Sequence, residues 1–200
     1  MHLLLFGGTF DPIHHGHLLT ARAAAESLAA DAVVLIPTGL SPHKVALCSS
    51  TGPDRLAMCR LAVQNERGFL VNDVEVKRPG PSYTFDTLTA LSQHHAGADF
   101  TLLMGADQLP LLHTWHRAAE LLHRARVAVL GRHGAPMDLA PLAAGVPGVD
   151  LRRITLLQTP VIQISATDIR ARVAAGKPIR WMVPAGVETY IREKALYGSG

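Results

Sequence analysis

Three histidines lie in a glycine-containing stretch near the start of the chain, where a short apolar run gives way to a helical pattern. The stretch reads GGTFDPIHHGH and spans residues 7–17. His14 and His17 are three residues apart, so their imidazoles can face the same way at the start of a helix. Imidazoles beside the free N–H groups of a helix N-terminus can donate hydrogen bonds to phosphate oxygens and to charge that develops in a transition state. The stretch therefore predicts an anion-handling loop, and it offers no obvious nucleophile.

A solvated loop and a metal site are the alternative interpretations of these histidines. No cysteine or glutamate lies in the stretch, which disfavours a metal centre. Gly7 and Gly8 favour anion binding, because they remove side chains where a backbone must approach a ligand or turn sharply. We therefore expect a phosphate-binding loop and no metal ion held by the protein.

A second polar motif, ISATDIR at residues 164–170, precedes another helical pattern. Ser165 followed by Asp168 is typical of a capping box, so a simple helix cap is one interpretation. In the other interpretation, the hydroxyls of Ser165 and Thr167 join Arg170 in a second phosphate cradle. Placed opposite the first loop, such a cradle would hold the far end of a triphosphate. Both interpretations stay open from the residues alone.

Short apolar runs alternate with longer helical patterns along the whole chain. Strands are predicted over residues 2–6, 31–36, 69–76, 99–104, 126–130 and 154–157. Helices are predicted over residues 17–30, 54–66, 85–95, 115–123, 165–175 and 184–194. The alternation indicates an α/β fold, with a Rossmann-like parallel sheet and helices on both faces. We expect one domain over residues 1–200, with an uninformative tail at 198–200 and a long loop at 131–149. Ligands of such sheets bind beyond the carboxyl ends of the strands, which is where the Gly7 loop lies.

Composition and charge exclude several classes of protein. Among 200 residues, 48% are hydrophobic, and 19 basic against 16 acidic side chains give a net charge of +3. Such a chain is neither disordered nor dominated by charge. Cys48 and Cys59 are too few for a disulfide scaffold, and no apolar run suits a signal segment or a membrane span. We therefore expect a cytoplasmic protein without a membrane or nucleic-acid partner, although a homo-oligomer stays open.

The motifs resemble those of one enzyme superfamily, whereas P-loop and GxGxxG signatures are absent. Residues 7–17 resemble the GxFDPxHxGH loop of the HxGH nucleotidyltransferases, and residues 164–170 resemble their ISxTxIR signature. Residues 81–84 (PSYT), 105–107 (GAD) and 114–115 (TW) extend the similarity over nearly the whole chain. On these motifs the chain resembles the bacterial nicotinate-mononucleotide adenylyltransferases. That family joins ATP to nicotinate mononucleotide with Mg²⁺, giving deamido-NAD and pyrophosphate.

The resemblance implies a role for each matching residue on the ATP side. His14 and His17 would be the catalytic histidines that contact the ATP phosphates. The remaining nucleotide-binding and phosphate-binding positions would be Gly7, Gly8, Thr9, Phe10, Lys44, Ser165, Thr167 and Arg170. A solvated loop lysine is the alternative for Lys44, which lies in a PHK sequence.

On the acceptor side, the resemblance implies that the pyridine ring stacks on Trp115. Its carboxylate would accept backbone N–H bonds near Thr84 and His116, beside Tyr83. This arrangement favours an acid over an amide, because a carboxylate only accepts hydrogen bonds. Asp107 would face the ribose or adenosine, with a helix N-cap as the alternative.

Two further residues, His15 and Trp181, are expected to have no chemical role. Arg55 is a weaker candidate, for which a helix-surface arginine is the alternative. His15 is expected to be exposed, and Trp181 is expected to pack in the interior.

Two other functions compete with this interpretation. One is a sister adenylyltransferase that acts on nicotinamide mononucleotide or phosphopantetheine. The residues around Tyr83, Thr84 and Trp115 would discriminate, because a ring without a carboxylate needs different donors. The other is a nucleotide-sensing or nucleic-acid-binding module, which would bind phosphate without turnover.

Overall fold

The apolar runs form the strands of one parallel sheet. The computed structural model describes residues 1–40, 49–131, 138–159 and 162–198. The strand order in the sheet is β3–β2–β1–β4–β5–β6, and every neighbouring pair is parallel. The strands are β1 (His2–Gly8), β2 (Ala32–Pro37), β3 (Phe69–Val71), β4 (Asp99–Gly105), β5 (Arg126–Gly131) and β6 (Ile154–Gln158).

Helices connect the strands and cover the sheet. The α-helices are α1 (His15–Ser27), α2 (Gly52–Val63), α3 (Val74–Lys77), α4 (Thr84–His94), α5 (Ala118–Arg124), α6 (Ala140–Gly145), α7 (Ala166–Ala174) and α8 (Ala185–Glu193). In the part of the chain that the structure describes, two 3₁₀ helices span Ala106–Thr114 and Leu151–Arg153. No helix in these described ranges is long and apolar enough to cross a membrane.

Alternate residues of β1 supply two separate cores, one on each face of the sheet. Leu3 and Leu5 pack with side chains from α4 and α5, whereas Leu4 and Phe6 pack with side chains from α1, α2, α7 and α8. Successive side chains of a strand point to opposite faces, so an apolar run such as HLLLF is buried on both sides. The predicted α/β class, with a Rossmann-like sheet covered on both faces, is confirmed.

Three predicted elements are wrong in type or extent. The strand predicted over 69–76 ends at Val71, because Asn72 Oδ1 accepts the backbone N–H of Val74 at 2.9 Å and turns the chain into α3. The helix predicted over 115–123 begins only at Ala118, after Arg117 in the left-handed region at φ 55°. The stretch 131–149 is no continuous loop, because it contains α6, whose Ala140 N–H is bonded to Asp138 Oδ1 at 2.9 Å.

The strand order places a crevice at the carboxyl ends of β1 and β4. The chain leaves β1 towards β2 on one side, and β4 leads to β5 on the other. At such a switch point the two connections diverge and leave room for a ligand. Gly7 and Gly8 end β1, and Asp107 follows β4, so both predicted ligand-binding segments border this crevice.

Candidate active site

A cavity of about 320 Å³ opens at the carboxyl ends of β1 and β4. This volume lies at the small end of the range of small-molecule sites. The residues that line it include Gly7, Gly8, Thr9, Glu75, Ser82, Tyr83, Thr84, Gly105, Asp107, Trp115 and His116. The predicted acceptor residues and the start of the histidine loop are therefore brought to one cavity.

One end of the cavity is formed by the beginning of α4 and by the residues that follow the 3₁₀ helix Ala106–Thr114. Thr84 is the first residue of α4, and Tyr83 precedes it without a side-chain cap on the helix. The rings of Tyr83 and His116 lie 4.5 Å apart, and the half-buried Trp115 immediately precedes His116. An uncapped helix N-terminus beside aromatic rings suits a planar ligand with a negative charge.

Asp107 also lines this cavity and is exposed. It occupies the first turn of the 3₁₀ helix, and its Oδ2 accepts a hydrogen bond from Gln108 Nε2 at 2.7 Å. The N-cap of that helix is Gly105. The alternative interpretation of Asp107 as a helix N-cap is therefore wrong.

His14 and His17 stack on each other at the beginning of α1. Their ring centroids are 3.6 Å apart, with an angle of 21° between the planes. Nδ1 of His14 accepts the backbone N–H of His17, and Nδ1 of His17 accepts that of His14, both at 3.3 Å. The two histidines thus form a reciprocal capping box that fixes both rings.

Both imidazoles are neutral near pH 7. Burial, with a smaller contribution from His15, lowers the pKa of His14 to about 4. Burial and the adjacent His14 lower the pKa of His17 to about 3. Because Nδ1 of each neutral ring accepts a backbone N–H, the ring proton belongs on Nε2. Each ring can therefore donate one hydrogen bond from Nε2 to an oxygen of a ligand.

Phe10 contributes to the loop through packing. Its side chain is only 2% exposed, and its ring meets that of His17 edge-on at a centroid distance of 5.1 Å. The residue lies in the left-handed region at φ 51°. A Cβ on Gly8 would come within 2.9 Å of the Phe10 ring. Gly8 is therefore required for this approach, and the buried Phe10 side chain does not line the cavity.

The second motif lies beside the first. Arg170 Nη1 donates to the backbone carbonyl of Asp11 at 2.7 Å, and Nη2 donates to Thr167 Oγ1 at 3.3 Å. Ser165 Oγ accepts the backbone N–H of Asp168 at 3.1 Å, so the predicted helix cap is present. The hydroxyls and the guanidinium next to the histidine loop also suit phosphate oxygens.

The phosphate-binding candidates form a group adjoining the cavity. His17 contacts the cavity residue Phe6, with a ring-centroid distance of 6.1 Å, but neither histidine lines the cavity. The residues of the second motif do not line it either. Lys44 lies outside the described residues.

Two buried charged residues support the loops around the cavity. Arg55 is 2% exposed and donates to the carbonyl oxygens of Thr9 and Gly39, at 2.8 and 3.5 Å. The alternative interpretation of Arg55 as a helix-surface arginine is therefore wrong. Glu75 is also buried in the cavity wall, where Oε1 accepts from Thr87 Oγ1 at 2.8 Å. Desolvation raises the pKa of Glu75, although the hydrogen bond from Thr87 acts in the opposite direction.

Sequence reasoning missed Glu75 and misplaced two other residues. Glu75 fell within a predicted strand, and no motif singled it out. His15 is half-buried rather than exposed, since its backbone N–H bonds to the carbonyl of Met182 at 3.0 Å. Trp181 does not pack in the interior, because it is 78% exposed with its backbone in the left-handed region at φ 69°.

A Rossmann-like sheet with a histidine capping pair beside its switch point defines the nucleotidyltransferase class of protein. Residues 5–172 match the model of the cytidylyltransferase-like family. The chain is 44% identical over 193 residues to a probable nicotinate-nucleotide adenylyltransferase of Thermomicrobium roseum, covering 96% of this chain and 90% of that protein. It is 41% identical over 199 residues to the protein of the same name from Exiguobacterium sibiricum, covering 100% of each chain. The chain belongs to the nicotinate-nucleotide adenylyltransferase family.

A solved structure supports the fold independently. The Plasmodium falciparum nicotinic acid mononucleotide adenylyltransferase complexed with NaAD superposes with a TM-score of 0.75. The match covers 98% of this chain and 97% of that one at 18% identity. At this identity the similarity speaks for the architecture alone.

Proposed function

We propose that this protein is an ATP-dependent nicotinate-nucleotide adenylyltransferase of NAD biosynthesis. It transfers the AMP moiety of ATP to nicotinate mononucleotide, and the products are deamido-NAD and pyrophosphate. The observation that carries the proposal is the cavity at the β1–β4 switch point, which Thr84 and Trp115 line together with Gly7 and Gly8. Relatives named as probable nicotinate-nucleotide adenylyltransferases match 96% and 100% of the chain.

In this proposal the acceptor occupies the cavity between α4 and the Trp115 segment. The pyridine ring stacks on Trp115, and Tyr83 with His116 closes the neighbouring side. The carboxylate accepts backbone N–H bonds from Thr84 and His116. The uncapped N-terminus of α4 supports this role, because its N–H groups and its partial positive charge favour an anion.

The nucleotide lies along the backbone of residues 7–10, with Asp107 on its ribose or adenosine side. His14 and His17 donate from Nε2 to oxygens of the ATP phosphates. Ser165, Thr167, Arg170 and Lys44 hold the phosphates that leave as pyrophosphate. The acceptor phosphate attacks the α-phosphorus of ATP in line, and the P–O bond to the β-phosphate breaks. The protein contributes positioning and stabilisation of developing negative charge, which are the main catalytic terms in such transfers.

Mg²⁺ fits this site as an ion carried by ATP. The donors at His14, His17 and Arg170 are N–H groups, which bind phosphate oxygens and not cations. Mg²⁺ is commonly held by substrate phosphates and water. When bound, the ion would neutralise charge on the phosphate oxygens.

The decisive experiment compares acceptors in one assay of pyrophosphate release with ATP and Mg²⁺. Nicotinate mononucleotide should react much faster than nicotinamide mononucleotide. The carboxylate accepts hydrogen bonds from the backbone N–H groups, whereas the NH₂ group of the amide is itself a donor and cannot accept from them. Equal or reversed rates would keep adenylyl transfer but overturn the acceptor assignment. Release only with phosphopantetheine would support that sister activity, and no release with any acceptor would support the binding module.

Several earlier expectations stay predictions. They are a single domain over residues 1–200, a cytoplasmic location, and the lack of a nucleic-acid or membrane partner. The oligomeric state is open, and the mass of the protein in solution would establish it.

A further inference from the structure

Asp11 connects the histidine loop to three other parts of the molecule. Its side chain is 4% exposed and lies three residues before His14. Oδ2 accepts the backbone N–H of Ser49 at 2.7 Å, and Oδ1 accepts the hydroxyls of Ser50 and Tyr197. The carbonyl of the same residue accepts Arg170 Nη1 at 2.7 Å. Asp11 is thus bonded to the segment before α2, to α7 and to the segment after α8.

Tyr197 is the most distant of these partners along the chain. Its hydroxyl donates to Asp11 Oδ1 at 2.6 Å and lies 3.3 Å from Ser50 Oγ. The ring packs against the core that contains Phe10 and Ile13, which flank Asp11. Burial raises the pKa of Tyr197, so the phenol stays a donor throughout the neutral range.

We propose that Tyr197 is a positioning residue for the two phosphate-binding motifs. Its hydroxyl fixes the carboxylate of Asp11, and the Asp11 carbonyl in turn holds the guanidinium of Arg170. These two bonds hold the loop from Asp11 to His14 at a fixed distance from the guanidinium of Arg170. This inference rests on the proposed function, since it assigns both motifs to the phosphates of ATP.

The effect of losing this hydroxyl should be selective. A buried carboxylate needs its acceptor sites filled, and hydrogen bonds to charged groups are stronger than those between neutral groups. Without the Tyr197 donor, Asp11 retains its bonds to Ser49 and Ser50 but loses the bond on the α8 side. A small displacement of catalytic groups is enough to slow a transfer that depends on alignment. The acceptor pocket is formed by other residues and should keep its affinity.

Tyr197→Phe removes only the hydroxyl, and Tyr190→Phe is its matched control. Tyr190 also donates to a carboxylate, Asp54 Oδ1 at 2.9 Å, but this bond joins α8 to α2 and involves no residue of the histidine loop. In the pyrophosphate assay, Tyr197→Phe should lower kcat about tenfold, the factor expected for one charge-assisted hydrogen bond. The KM for nicotinate mononucleotide should stay within about twofold of wild type. Tyr190→Phe should leave kcat within about twofold.

Calorimetric titration with ATP separates this inference from the proposed function. Tyr197→Phe should weaken ATP binding about three- to tenfold, whereas Tyr190→Phe should not. This comparison needs no acceptor, so it decides the role of Tyr197 even if the wild-type protein releases no pyrophosphate. Equal ATP affinity and equal kcat in the two variants would overturn the inference. So would a loss in Tyr197→Phe confined to the thermal midpoint, because that is the result of a purely structural role.

Discussion

His14 and His17 accept each other's backbone N–H groups through Nδ1, while their rings stack 3.6 Å apart. This reciprocal arrangement occupies Nδ1 in both rings and leaves Nε2–H as the donor of each. The pair therefore combines the cap of α1 with two oriented donors for phosphate. A side chain that caps the helix without an imidazole would preserve the first role and lose the second.

His17→Ala should lower kcat by about 10²-fold or more, which is typical for loss of one donor to a developing oxyanion. The reason is that this side chain supplies one of the two Nε2–H donors assigned to the ATP phosphates. His15→Ala is the control, because His15 takes no part in the stacked pair and meets its neighbours through its backbone N–H. Steady-state pyrophosphate release measures both variants. An unchanged kcat in His17→Ala would contradict the assigned role.

Folding stability should fall as the pH drops below about 6.5. The pKa of His14 is lowered to about 4 and that of His17 to about 3, so the unfolded chain binds more protons than the folded one in this window. The loss begins near the unfolded pKa of about 6.5 and levels off below the folded values. Urea unfolding at several pH values measures it. His17→Asn should flatten the slope between pH 6.5 and 4, whereas His15→Asn should leave the slope close to that of wild type.

Trp115→Ala should raise the KM for nicotinate mononucleotide more than the KM for ATP. Its indole lines the proposed acceptor cavity, and aromatic stacking contributes about 1–3 kcal/mol per ring when lost. Trp181→Ala is the matched control, since that indole is 78% exposed. Initial rates with each substrate varied in turn give both KM values. A selective loss of ATP affinity would contradict the assignment of Trp115 to the acceptor pocket.

Gly39→Ala should destabilise the protein by about 1–3 kcal/mol, as expected for overpacking. A Cβ at this position would overlap the carbonyl oxygen of Glu75 and lie 3.0 Å from Ser82 Oγ. Because Ser82 precedes Tyr83 and Thr84, the KM for the acceptor should also rise. In Gly186→Ala the new methyl would meet Leu61 at an ordinary 3.6 Å, and stability should not fall. Thermal unfolding of both variants is the measurement, and equal midpoints would disprove the close approach.

Arg55→Lys should cost about 1–3 kcal/mol of folding stability, although it conserves the charge. The buried guanidinium donates to Thr9 and Gly39 at once, which a single ammonium cannot match. Arg60→Lys on the same helix is the control, because Arg60 is exposed and pairs with Asp73 at the surface. In equilibrium denaturation, the free energy of unfolding should fall more in Arg55→Lys than in Arg60→Lys, by more than the experimental error. Similar values for both would mean that Arg55 does not tie the two loops together.

Local pattern was sufficient to predict most of the fold. The HLLLF run of β1 and its neighbours gave the class correctly, because strands buried on both faces must be apolar throughout. The local pattern gave a wrong prediction where a side chain redirected the backbone, as Asn72 does after Val71. Alternation continues through residues 72–76 in the sequence, but the hydrogen bond from Val74 N–H to Asn72 Oδ1 favours a turn and then α3.

The sequence by itself determined the family and the motifs, since these depend on residue types at fixed short spacings. His14 with His17, and Ser165 with Asp168, could be assigned because one helical turn brings residues three apart together. Only the tertiary structure decided that Arg170 meets the carbonyl of Asp11 and that Tyr197 meets its carboxylate. It also decided that Arg55 and Glu75 are buried, with Glu75 in the wall of the cavity. Contacts across such separations follow from the order in which strands assemble into the sheet, and no local spacing encodes that order.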